Sequence, residues 1–110
     1  MRKPVESTVQ LNPLLHERWS PRSFDTIENV TEADITAILE AGRWAPSANN
    51  LQPWRFIVAR RGDEHFNAIT KTLTGFNQVW VPTAALYIVV AAVMQNEDGS
   101  ARLFSMYDSG

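Results

Sequence analysis

A chain of 110 residues, 45% hydrophobic and 20% charged, is long enough for one core and too apolar to remain disordered. Its formal net charge of -2 gives no general electrostatic case for nucleic acid or for an anionic membrane surface. With no cysteine, disulfides, thiolate nucleophiles and cysteine-ligated zinc are excluded.

The opening stretch, MRKPVESTVQLNPLL, has basic residues but no apolar signal core, and residues 1–10 read as a loosely held lead-in. Asn12-Pro13 is an N-cap followed by proline at the first helical position, where its missing N–H costs nothing. Leu11, Leu14, Leu15, Arg18 and Trp19 then fall at helical spacing. That helix must stop near Trp19, because Ser20 precedes Pro21 and is pushed to extended geometry. A second helix begins at Thr31, where Thr31 and Asp34 resemble a capping box, and it cannot run past Ala45 before Pro46. Its apolar face is Ile35, Ile38, Leu39 and Gly42.

Trp54 to Ala59 alternates as a strand does. Arg60-Arg61-Gly62-Asp63 is a turn, and Asp63 can cap a helix through Leu73 with Phe66, Ile69 and Leu73 on its inner face. Residues 84–93 form an unbroken apolar run that predicts a central strand covered on both faces. The run through Met94 is too short to span a bilayer, so no membrane association is expected and the protein is read as cytoplasmic. Asp98-Gly99 marks a turn, and a last helix is expected from near Ser100. The order helix, helix, strand, helix, strand, helix implies an α+β layered fold, a single unit with helices packed on a sheet.

Three polar clusters stand out. In Arg18-Trp19-Ser20-Pro21-Arg22 the extended backbone puts Ser20 and Arg22 on one side, with Arg18 leaning toward them. Two guanidinium groups beside a hydroxyl suit a phosphate, and they equally suit a solvated helix C-terminus. In Ala45 to Trp54, APSANNLQPW, asparagine and glutamine offer donors and acceptors suited to a heterocycle edge, or make an ordinary turn. In Gly75 to Pro82, GFNQVWVP, Asn77, Gln78 and Trp80 lie between a helix and the apolar strand, as a site or a capping loop. His16 and His65 are isolated, so no metal site is expected.

Taken together, RWSPRSFD, ILEAGRWAPSANNLQPWRFIV, GFNQVWVPTAALYIVVAA and the final YDSG resemble the FMN-dependent nitroreductase family from about Leu11 onward. The resemblance implies a central, mostly antiparallel sheet with helices on both faces, and implies that this chain is the N-terminal portion of the family domain. It implies FMN, with NAD(P)H as electron donor, a nitroaromatic or quinone-like acceptor, ping-pong kinetics, and a homodimer with the flavin at the interface. It places Arg18 at the FMN phosphate, with Trp19 contributing backbone and Ser20 a hydroxyl. It places Arg22 by the N1 and C2 carbonyl side of the ring. Pro46, Ser47, Ala48 and Asn50 would line the flavin from the partner subunit, and Asn77 would bond its pyrimidine edge. No side chain is assigned acid–base catalysis, since the flavin carries the redox step. Trp80 stands where some members carry a basic residue. Other readings within the resemblance are a non-catalytic piece acting through dimer or partner contacts, and a member with other flavin chemistry: dehalogenation, dehydrogenation or flavin fragmentation.

Overall fold

Asn12 starts the first helix, α1 (Pro13–Glu17), by accepting the Leu14 N–H at 3.0 Å. The computed structural model describes residues 5–110, so the first four residues of the expected lead-in lie outside the described residues. Residues 5–10 are exposed, and Val5 N–H donates to the His16 carbonyl at 3.0 Å. α1 ends at Glu17, and Leu14 and Leu15 point to solvent at 82% and 65% exposure, so helical spacing there does not mark a buried face.

The capping box at Thr31 and Asp34 is present, and it starts α2 (Glu32–Arg43). Ile35 is buried, Leu39 and Gly42 are half-buried, and Ile38 is exposed. A 3₁₀ turn over Ala48–Asn50 leads through the fully buried Pro53 into β1 (Trp54–Arg60). Asp63 caps α3 (Glu64–Thr72) by accepting from Phe66 N–H. A short helix, α4 (Asn77–Trp80), and a 3₁₀ turn over Val81–Thr83 precede β2 (Leu86–Ala92).

β1 and β2 pair antiparallel, from Trp54↔Ala92 to Arg60↔Leu86. Alternation along the strands separates two faces. On one, Ala59, Tyr87, Phe66 and Ala84 form the core, with Ile69 and Val81 packed against it. The Phe66 and Tyr87 rings stack at 3.9 Å between centroids, and the Tyr87 hydroxyl lies 3.2 Å from Thr70 Oγ1. On the other face the Phe56 ring meets Gly42 of α2. Helices therefore flank both faces of the sheet.

Two expectations are corrected. The last helix, α5 (Ser105–Ser109), starts five residues later than Ser100, because residues 95–101 turn back on themselves: Gln95 bridges Ala101, and Asn96 N–H donates to the Ser100 carbonyl at 2.8 Å. The apolar run at 84–93 is not covered on both faces. Among the described residues β2 is one of two strands, and Val89 and Val90 are 37% and 47% exposed. A continuous apolar strand expects cover on each side, and residues 5–110 supply only part of it.

Candidate cofactor site

Arginine 61 builds the platform. Its guanidinium donates to the carbonyls of Thr83 and Asp25, both at 2.9 Å, of Ala84 at 3.2 Å, and of Thr26. One planar fork thus ties residues 25–28 to the turn before β2, and Phe24 N–H adds a bond to Thr83 Oγ1 at 3.0 Å. Asp25 holds its own loop by accepting from the Ile27 and Glu28 amides, and these bonds, Ile27's the larger, lower its carboxyl below the usual range.

The platform brings the arginine segment to α4. Arg18 Nη1 donates to Ser20 Oγ at 3.3 Å. Arg22 turns back on its own backbone, to the Ser20 and Pro21 carbonyls at 3.4 and 3.3 Å, and its guanidinium carbon lies 5.5 Å from the Trp80 ring centre. Phe24 packs on the same indole with centroids 5.8 Å apart. Trp80 Nε1–H donates to Asn77 Oδ1 at 3.1 Å. Arg18, Ser20, Arg22 and Asn77 are exposed and Trp19 is half-buried. Among the described residues, no carboxylate is paired with Arg18 or Arg22, so their charge is available to an anion.

The second cluster is built separately, against α5. Ala48 N–H donates to Asp108 Oδ2 at 2.9 Å across 60 residues of sequence. Gln52 N–H donates to Ser47 Oγ at 3.0 Å, and Gln52 Nε2 to Asn50 Oδ1 at 2.8 Å. Asn49, Asn50 and Gln52 have φ of 52°, 53° and 45°. A left-handed backbone is uncommon outside glycine, is least costly for asparagine, and gathers at functional sites. Ser47 and Ala48 are half-buried, while Pro46 and Asn50 are exposed.

Arg18 and Ser20 are thus brought together, and Arg22 and Asn77 each meet Trp80; Pro46, Ser47, Ala48 and Asn50 belong to a distinct patch on α5. Arg61, Thr83 and Asp108 were not singled out from sequence as residues that shape the site. Their partners lie 22 to 60 residues away, where no local pattern reaches. Asp108 alone carried a signal, as part of the final YDSG.

With this geometry in view, the relatives of the chain can be placed. The Nitroreductase family model matches residues 15–108. The chain is 35% identical over 94 residues to "Putative NAD(P)H nitroreductase YdgI" of Bacillus subtilis (strain 168), covering 84% of this chain and 43% of YdgI. It is 29% identical over 84 residues to the oxygen-insensitive NADPH nitroreductase of Helicobacter pylori (strain ATCC 700392 / 26695), covering 76% of this chain and 39% of that protein. A crystal structure of an oxidoreductase containing FMN superposes with a TM-score of 0.85 at 32% identity, over 96% of this chain and 55% of the other. A structure from Desulfovibrio desulfuricans solved in complex with FMN gives a TM-score of 0.64 at 35% identity, over 82% of this chain and 54% of the other. The chain belongs to the nitroreductase family and has its α+β fold with an antiparallel sheet. It spans less than half the length of these two curated relatives.

Proposed function

We propose that this chain supplies the phosphate- and pyrimidine-side grip of an FMN site in an NAD(P)H-dependent oxidoreductase. The observation that carries the proposal is the convergence of Arg18 with Ser20, and of Arg22 with Trp80 and Asn77, in a fold superposing at 0.85 on an FMN-containing oxidoreductase. The donor set fits the group. Arg18 and Ser20 offer a charged fork and a hydroxyl to a phosphate, and Arg22 offers a fixed cation to a carbonyl edge. Asn77 adds a neutral amide.

When bound, FMN supplies the redox chemistry between NAD(P)H and a flat nitroaromatic or quinone acceptor. Arg22 would offer a fixed cation to the side of the ring where negative charge develops on reduction, and the loop at Pro46, Ser47, Ala48 and Asn50 would serve the flavin of a partner subunit. The working form is a cytoplasmic homodimer that turns over in a ping-pong cycle. This reading is tested by titrating the purified chain with FMN and following flavin fluorescence. NADPH oxidation is then measured with menadione. Saturable quenching and turnover above that of free FMN are expected. Flavin that stays free and fully fluorescent at millimolar protein overturns the reading.

The exposed side chains of β2 favour a second reading, a non-catalytic role exerted only through association with a partner. Turnover above free FMN rules it out.

A further inference from the structure

Trp80 lies between two of the residues assigned to the flavin. Its ring face meets the Arg22 guanidinium at 5.5 Å, and its Nε1–H meets Asn77 at 3.1 Å. The second contact fixes which way the amide points. An indole N–H can only donate, so the Asn77 atom that faces it has to be the carbonyl oxygen. The NH₂ group then faces away from Trp80, and among the described residues it has no hydrogen-bond partner, so both protons can serve a ligand.

We propose that Trp80 is a positioning residue that sets both groups at once: it holds Arg22 over its ring and turns Asn77 so that a donor, not an acceptor, is offered to the ligand. The inference rests on the flavin reading above and deepens it. The ligand edge at Asn77 is then a hydrogen-bond acceptor, a carbonyl oxygen or an unprotonated ring nitrogen. Phe24 supports the arrangement by packing on the same indole, with centroids 5.8 Å apart. The turn after Trp80 holds the ring's own backbone, since Thr83 Oγ1 donates to the Trp80 carbonyl at 2.6 Å. The two functions of the indole are separable: its face serves Arg22 and its N–H serves Asn77.

Two measurements test this. The first needs no flavin. The chain has four tryptophans, and Trp80→Phe identifies the indole N–H resonance of Trp80 in a proton–nitrogen spectrum. In Asn77→Leu that resonance shifts upfield and exchanges faster with solvent, while the other three hold. The second is FMN affinity by flavin fluorescence. Asn77→Asp still accepts from Trp80 but has no donor, and weakens FMN about tenfold or more. Trp80→Phe keeps the ring and frees Asn77, and weakens FMN about threefold. Because the indole N–H acts through Asn77, the double variant is no weaker than Asn77→Asp alone, which general loosening of the fold would not produce. An unmoved Trp80 resonance, or strictly additive losses, overturns the inference while FMN uptake by the unmodified chain keeps the flavin reading intact. No FMN uptake by the unmodified chain overturns the flavin reading and, with it, the ligand half of this inference. The resonance shift then still decides how Asn77 is turned.

Discussion

Asp63 shows what one residue does in this fold. Its carboxylate accepts the Phe66 N–H at 2.6 Å, which caps α3, and the Arg60 N–H at 2.7 Å, which closes the turn from β1. These bonds, Phe66's first, hold its carboxyl below the ordinary 3.8. Glu40 is pushed lower, to about 2, first by the Arg43 guanidinium and then by the Trp44 indole N–H. A carboxyl whose folded pKa is depressed binds protons more weakly folded than unfolded, so its stabilisation is complete above the unfolded value. That stabilisation is lost as pH falls through the folded value. The thermal midpoint is therefore expected to be flat above about pH 5 and to fall progressively toward about pH 2. Asp63→Asn keeps an acceptor for the cap without a titrating charge, so its midpoint should start lower and fall less steeply. Identical slopes in circular-dichroism melts would remove Asp63 as a source of the acid sensitivity. Asp63 was legible in the sequence because a cap acts on a residue three positions away. Arg61, two residues before it in the same turn, was not legible, because it acts on carbonyls up to 36 positions away.

At the scale of elements, α2 meets the sheet through a contact with no side chain on one side. A Cβ at Gly42 would stand 3.0 Å from Phe56 Cζ and 3.5 Å from Cε2. Two effects oppose each other. Alanine is better than glycine inside a helix by about 0.5–1 kcal/mol, and overpacking costs about 1–3 kcal/mol where neighbours cannot move. Phe56 can move, because its ring borders a cavity of about 200 Å³ shared with Gly42, Trp54 and Val90. Gly42→Ala is therefore expected to stay within about 0.5 kcal/mol of the unmodified chain. Gly42→Val, whose extra methyls meet the ring directly, should lose about 1–2 kcal/mol. Urea midpoints decide, and a large loss for alanine would mean that the ring is locked. The ends of α2 could be read from Thr31, Asp34 and Pro46, each a local signal. The start of α5 could not, because Asp98-Gly99 opens a turn that bridges Gln95 to Ala101 rather than a helix. Leu14 and Leu15 fall at helical spacing and lie in α1, yet they face solvent, since a helix of five residues has too few neighbours to bury a stripe.

The whole molecule is more open than its length implies. Its radius of gyration is 17.0 Å, against about 13 Å for a compact domain of this size. Its accessible surface is 8810 Å², against about 6,100 Å² for a folded monomer of its mass. Large apolar side chains are among what it exposes. Ile57 and Val89 are cross-strand partners on one face of the sheet and remain 50% and 37% exposed, with Val90 47% exposed on the other. A cross-strand apolar pair left exposed on a sheet face is what an interface would cover. The chain is therefore expected to bind the dye ANS while folded, and to elute from a sizing column at a mass that rises with concentration. The pair Ile57→Thr and Val89→Thr tests whether the sheet is the surface responsible. Threonine keeps the β-branched shape that suits a strand, so stability should change by less than about 1 kcal/mol. ANS binding and the concentration dependence should both fall. If neither changes while the fold is kept, the association surface lies elsewhere, and the exposed side chains of α5, Met106 and Tyr107, are the next to vary.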